Sequence, residues 1–494
     1  MKKYILFTMA SLSLALASCK KDFLETNPTT SVAAADALAS TKNAIAALNG
    51  IHRVLYTQYD AQGQAGEGSV NLFRDYMGED VVFPLANGSA GHLTWIQWQS
   101  HRNVNSGDMR FVYRFYYRLI ANANVLINGI DGVPGPESER RMIKGQALAY
   151  RAWSHFQLVQ LWGIRYDAAT KPNTQLGVPL LLENTLVGQP RATVEDVYTQ
   201  INKDLDVADT LLTGYVRTGS AAKSNFNVSV VKGIKARVAL TQQNWDAAAT
   251  NAIAARTGSS LMTNAEYLTG FNNINNQEWI WGSRQIDDHN TFFYSYFAYF
   301  SANFNSTVIR TQPRALNANL YNSIPATDNR KKVWDLTGAG VPVPPGGARV
   351  PYQNKKFLAQ SSSASMGDVP YMRTAEMFLI EAEARARKGG QDALAQAALF
   401  TLVKNRDASY VLSTNTGTAL IDEIMWNRRV ELWGEGFRFT DLKRTNQPMS
   451  RVGIPNHLPA LIQVSTIPAG DKQWQFLFHQ DEINANPAIV QNPL

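Results

Sequence analysis

The sequence predicts a mainly α-helical protein, on three observations. Apolar residues recur at i, i+3, i+4 and i+7 through long stretches of the 494-residue chain, the period of helices that bury one face. Some of these stretches follow one another with almost no connection, as paired helices do. Residues 62–105 and 261–370 break the period and are rich in Gly, Pro and aromatic side chains, so an irregular, loop-rich lobe is expected beside the helices.

The chain begins with Lys2 and Lys3, then an apolar stretch from Tyr4 to Ala17 that runs into Ser18-Cys19. A positive start, a short apolar core and small residues before the cut make 1–18 a lipoprotein signal peptide. Cys19 is the single cysteine, so cleavage before it exposes a thiol that no internal disulfide can claim. Lipid attachment is the use such a thiol has. Several acyl chains, each gaining about 0.8 kcal/mol per buried CH₂, anchor stably where one does not. No later run reaches the ~18 apolar residues that a spanning helix needs, so the membrane is expected to be met through this anchor only. Residues 19–31 are polar and read as an N-terminal tether, and 32–494 are expected to form one helical domain.

In the first helix, from about Val32 to Tyr59, the residues Ile45, Leu48, His52, Leu55 and Tyr59 share a face; a histidine there reads as a packed core residue. Met109 to Ile130 aligns Val112, Phe115, Leu119, Ala123 and Leu126, and Glu137 to Gly163 aligns Ala149, Ala152, Trp153 and Phe156. The fourth helix starts after Thr193, whose hydroxyl suits an N-cap, and buries Val197, Ile201, Leu205, Ala208 and Leu212. Ser229–Gln242 and Trp245–Arg256 form one tight pair. Met372–Lys388, stopped by Gly389-Gly390, and Asp392–Asn405 form another, and a last helix runs from about Ala419 to Gly434. Both pairs have the size of tetratricopeptide units, and Trp245-Asp246-Ala247-Ala248 and Ala382-Glu383-Ala384 match part of that signature.

Composition narrows the function. Hydrophobic residues make up 45% and charged residues 18% of the chain, the balance of a folded protein. The formal charge of +7 is spread without a Lys/Arg stripe, which argues against a nucleic-acid partner. The seven histidines include no HExxH and no i, i+4 pair, so no metal is expected. GxSxG, P-loop and GxGxxG motifs are missing too, so neither a cofactor nor a catalytic nucleophile is implied. Glu431 and Glu435 share a helical face with Arg428 just before them, the spacing of a structural ion pair.

The two irregular regions stand out for their aromatics. Trp95-Ile96-Gln97-Trp98 lies between Asp75, Glu79, Asp80 and His101, Arg102, Asn103; Trp279-Ile280-Trp281 and a run from Phe292 to Phe300 lie in the second region. A sugar offers an apolar C–H face and a rim of hydroxyls, which an aromatic ring and Asp, Asn or Arg side chains match. The expected site is a shallow platform with Trp95 or Trp98 as one ring face and Trp281 or Tyr296 as the second wall. Asp80, Asn103 and Arg310 would bond the hydroxyls.

Several segments resemble the SusD/RagB family of nutrient-uptake lipoproteins of Bacteroidota. They are Ser18-Cys19-Lys20-Lys21-Asp22-Phe23-Leu24-Glu25 with Pro28, Trp162-Gly163 with Gly177-Val178-Pro179-Leu180, and Arg191-Ala192-Thr193-Val194. The most specific is Asn427-Arg428-Arg429-Val430-Glu431-Leu432-Trp433-Gly434-Glu435-Gly436-Phe437-Arg438 with Asp441-Leu442-Lys443-Arg444; the ending, Glu482-Ile483-Asn484-Ala485-Asn486-Pro487, is similar as well. The resemblance implies a SusD-like fold of four tetratricopeptide-like helix pairs plus the irregular lobe. It also implies an outer-membrane lipoprotein, facing the cell exterior, that binds glycan, is not an enzyme, and passes oligosaccharides to a SusC-like TonB-dependent barrel. Arg428, Arg429, Glu431 and Glu435 would then be scaffold. A lipid-anchored polysaccharide hydrolase, or an assembly subunit of the transporter that binds no sugar, are the alternatives.

The anchor is directly testable: Cys19→Ala is expected to abolish lipid labelling and to shift the protein from the membrane fraction to the soluble one, and unchanged membrane association of the unlabelled variant would contradict it.

Overall fold

The computed structural model describes residues 34–494 except 90, 220–221, 287–292 and 294; the signal, Cys19 and the tether lie outside the described residues, as do Phe292 and Tyr294. Most regular structure is carried by helices α1 (Thr41–Val54), α2 (Gly66–Tyr76), α3 (Gly107–Gly129), α4 (Glu137–Trp162), α5 (Val194–Leu211), α6 (Val228–Thr241), α7 (Trp245–Ala255), α8 (Thr374–Lys388), α9 (Asp392–Arg406), α10 (Gly417–Glu431) and α11 (Arg438–Arg444). Side-chain caps fix several starts: Ser40 accepts from the Asn43 N–H at 3.2 Å, and Thr193 accepts from that of Asp196 at 3.0 Å, each satisfying a donor the helix leaves free.

The fold is mainly α with little sheet. From α3 to α8 each helix packs on the next, and α9 and α10 pack against α8. The faces read from periodicity are the buried ones: Val112, Phe115, Leu119, Ala123 and Leu126 on α3, and Val197, Ile201, Leu205 and Ala208 on α5. Ala248, Ala252 and Ala255 of α7 and Ala375, Ala382 and Ala386 of α8 are buried, and such small side chains let α7 and α8 approach their neighbours closely. His52 is a core histidine. Its Nδ1 lies 2.5 Å from the Tyr150 hydroxyl, and burial lowers its pKa to about 3, so it is neutral.

The irregular lobe holds short strands: β1 (Val81–Val82), β2 (Leu176–Pro179), β3 (Arg191–Thr193), β4 (Trp279–Ser283), β5 (Ala315–Leu316), β6 (Trp334–Asp335), β7 (Gln353–Asn354) and β8 (Val369–Arg373), of which β2 and β3 lie among the helices. β1, β5, β7 and β6 make an antiparallel sheet in that order, and β4 pairs antiparallel with β8. Met372, expected as the first residue of a helix, instead pairs with Trp281 in this ladder, so α8 begins two positions later, at Thr374.

Helix α2 falls where a loop was expected. Every residue of α2 is buried, and the helix is only three turns long with Gly66 and Gly68 in its first turn, composition that reads as loop. Its arginine is engaged inside: Arg74 donates to Glu67, to Asn71 Oδ1 at 2.7 Å and to Gln157 Oε1 at 2.6 Å. Gly66 opens it at φ +55°, and a Cβ there would meet the Leu55 carbonyl, which explains a glycine at a helix start.

The lobe is joined to the last helices by a buried ion cluster. Arg373, at the end of β8, donates to Glu278, to Glu431 Oε1 at 3.0 Å, and to both Glu435 oxygens at 2.8 and 2.6 Å. Arg406 donates to Glu278 Oε2 at 2.7 Å and to both Glu431 oxygens at 3.2 and 3.1 Å. Lys356 donates to Glu435 Oε1 at 2.7 Å and to the carbonyls of Glu431 and Trp433. Arg330 is held by Asp328 at 2.7 Å and lies 3.7 Å from Glu431. Cations and carboxylates in this group balance. The expected structural pairing of the last helix is therefore present with other partners: Arg428 donates to Asp441 at 2.7 Å rather than to Glu431, and Arg429 donates to Asp80.

Breaking a buried pair costs more than the pair contributes, because it strands the surviving charge. Glu431→Ala is therefore expected to destabilise the fold by about 3–5 kcal/mol, read as a lower urea midpoint. Burial alone would raise the Glu431 carboxyl, but Arg406, Arg373 and Arg330 outweigh it and hold it well below its ordinary 4.5. Its contribution is thus complete above pH 4.5 and lost progressively as the pH falls below that value; a melting temperature indifferent to such acidification would contradict this assignment.

Candidate ligand-binding site

The rings expected to form a sugar platform are core residues. Trp95 is 0% exposed, stacks on Phe73 at 4.4 Å, and donates its indole N–H to Asp108 at 3.1 Å. Trp98 packs edge-on against Trp474 and donates to the Met77 carbonyl at 2.9 Å. Trp281 packs edge-on against Trp153 and Phe226. The Tyr296 ring lies among Phe297, Phe300 and Phe357, and its hydroxyl donates to the Gly434 carbonyl at 2.7 Å. With faces covered by other rings and N–H or O–H groups mostly engaged, none of the four presents a surface to a sugar. The physical reason is that short strands and turns bury little by themselves, so this lobe fills its interior with large aromatics.

Asp80 is also engaged: it accepts from Arg429 at 2.9 and 2.6 Å and from Asn317 at 3.4 Å. Its neighbours Asp75 and Glu79 face the same helices. Asp75 accepts the backbone N–H groups of Gly436 and Arg438, and burial pushes it up to about 7 against their pull. Glu79 is paired with Arg438. The space among Asp75, Asp80, Arg429 and Arg438 is about 20 Å³, too small for a sugar between two carboxylates. Asn103 is exposed, and Arg310 is half-buried with an unpartnered Nε. Arg310 sits against the Pro/Gly loop, its carbonyl accepting from the Ala348 N–H at 2.7 Å.

A cavity of about 50 Å³ lies inside, lined among others by Glu67, Arg74, Trp153 and Trp281; it is on the scale of a water or two, at roughly 30 Å³ each. The open cleft is elsewhere, with a volume of about 680 Å³. Its walls are Gln58–Asp60 after α1, the α3 side chains Tyr113, Arg114, Tyr117 and Arg118, the β2–β3 connection from Thr185 to Gln189, and the C-terminal helix Gln480–Ala485 with Asn486. Tyr117 donates to the Pro179 carbonyl at 2.7 Å, and Asn486 donates to the Gln189 carbonyl at 2.9 Å and to Glu482 at 3.0 Å. Tyr59 backs onto Phe111 and Phe115, with the Arg118 guanidinium 5.6 Å from its ring centre. Burial pushes the Tyr59 hydroxyl up to about 12, with the Arg118 and Arg114 charges pulling the other way. Sequence reading missed this cleft because its residues come from four distant segments and form no local cluster.

Fold and surface define a helical protein with a lobe of loops and an open cleft, and comparison with known proteins gives its class. The family described as starch-binding and associating with the outer membrane matches residues 22–240, and the SusD family matches residues 241–494. The chain belongs to the SusD family. It is 24% identical over 273 residues to the SusD-like protein P25 of Formosa agariphila, a match covering 53% of this chain and 48% of that protein, so it spans about half the length of that relative. It is 24% identical over 392 residues to the SusD-like protein P38 of the same organism, covering 69% of this chain and 73% of that one. A SusD-like carbohydrate binding protein from Bacteroides vulgatus superposes with a TM-score of 0.79 at 26% identity, covering 92% of this chain and 98% of that one. A laminarin binding SusD-like protein superposes with a TM-score of 0.67 at 22% identity, covering 92% and 99%. No helix among the described residues is long and apolar enough to cross a membrane.

The burial of Trp98 makes a clear expectation: Trp98→Ala should cost about 3–5 kcal/mol of stability by emptying a core site, and a variant that melts like the parent would return this ring to the surface.

Proposed function

We propose that the protein is a cell-surface glycan-binding lipoprotein, anchored through Cys19 on the outer face of the outer membrane, which captures oligosaccharides and delivers them to a SusC-like TonB-dependent barrel. The observation that carries this reading is family membership along nearly the whole chain, 22–240 and 241–494. The lipid-attachment sequence at Leu16–Cys19 and the likeness to a carbohydrate binding protein at 26% identity agree with it. A binding role also fits the chemistry on the page. Asp75, Glu79 and Asp80 are held by guanidinium and backbone N–H groups, whereas hydrolysis of a glycoside asks for a pair that faces the substrate.

Affinity electrophoresis through gels containing soluble glycans, with an assay for newly formed reducing ends, tests the reading. The expected result is retardation by one glycan class without release of reducing ends. Release would support the hydrolase instead, and migration indifferent to every glycan would leave an assembly role within the transporter.

A further inference from the structure

We propose that the cleft between α3, the β2–β3 connection and the C-terminal helix is a binding site for a short oligosaccharide; this rests on the glycan-binding reading above. Its volume of about 680 Å³ falls in the range of about 300–1,000 Å³ that bound organic ligands fill, while the interior cavity does not.

The lining has the parts a sugar needs, already held in place. Tyr59 is partly buried, and its ring rests on Phe111 at 5.0 Å and Phe115 at 5.8 Å with the Arg118 guanidinium over it, an assembly that loses little freedom on binding. Arg110 and Arg114 are both taken by Asp60, at 3.4 and 3.2 Å. Arg118 has no carboxylate of the described residues within 4.0 Å, and it is exposed. Its planar guanidinium lies over Tyr59, 5.6 Å from the ring centre, and from there can take a pair of oxygens, which neighbouring sugar hydroxyls and a uronate carboxylate both supply. Glu482 adds a carboxylate from the facing wall, held in place by the Asn486 amide at 3.0 Å.

The rim is apolar and uncovered. Leu186 is 107% exposed and Val187 70%, although their loop is fixed: Asn486 holds the Gln189 carbonyl, and the Gly188 backbone approaches Asn486 so closely that a Cβ there would lie 2.3 Å from its side-chain oxygen. Two apolar side chains held over a polar cleft suit the C–H face of a sugar whose hydroxyls point to Arg118 and Glu482.

Calorimetric titration of the lipidated protein in a sugar-free detergent, with neutral glucan oligosaccharides in one arm and uronate oligosaccharides in the other, tests the site. Arg118→Ala and Leu186→Asp are expected to weaken binding at least tenfold without changing the melting temperature, since both side chains are exposed. Loss of only the uronate signal in Arg118→Ala assigns its partner as a carboxylate; loss of both signals assigns hydroxyls. Binding undiminished in both variants, or lost in Arg310→Ala but kept in Arg118→Ala, overturns the cleft and leaves the glycan-binding function standing. A parent protein that binds no saccharide in either arm overturns both.

Discussion

The rest of the structure depends on the charge cluster around Arg373 and Glu431. Burying ions costs several kcal/mol each unless every lone pair and proton finds a partner. Here the partners come from segments that regular packing would not join: Glu278 beside β4, Lys356 after β7, Arg373 ending β8, Arg406 ending α9, and Glu431 and Glu435 around the end of α10. A lobe of strands two to five residues long has few ladder bonds of its own. The cluster gives it a fixed seat on α8, α9 and α10, and the exposed loops are carried from that seat.

The same segment serves two further contacts. Arg428 and Arg444 meet at Asp441, Arg444 also grips Glu383 of α8, and Arg429 and Arg438 hold Asp80 and Glu79. Lys443 donates to the carbonyls of Gln160, Gly163 and Trp474, tying the end of α4 to the C-terminal chain. The run from Asn427 to Arg444 thus binds the helical row, α2 and the lobe together, which explains why so many charges stand in so short a stretch.

How much was legible follows from the same physics. Helices with one wet face declared themselves: α3, α4 and α5 lie within a residue or two of where the apolar period puts them. α2 did not, because it is short and its first turn carries Gly66 and Gly68, which read as loop. The pairing of the last helix was legible as a kind of interaction, while its partners were not, since Arg373, Arg406 and Glu278 lie far from it in sequence. The aromatics misled for a related reason. Trp95, Trp98, Trp281 and Tyr296 sit among polar residues in the sequence, yet in space Asp80 turns to Arg429 and the rings turn to one another. A site such as the cleft of Tyr59 and Arg118, assembled from four segments, leaves no mark on any one of them.

The cluster also orders events in time. A chain is made from its N-terminus, and Glu431 and Glu435 stand near the far end, long after Glu278 has emerged. Until they appear, Arg373 and Arg406 share Glu278 alone, and the lobe meets the helices through apolar contacts such as Trp281 on Trp153 without its ionic seat. Contacts between such distant positions form slowly, because loop closure must precede any gain from them. A chain cut short before Glu431 therefore carries Arg373 and Arg406 with Glu278 as the one carboxylate of the cluster left to share between them.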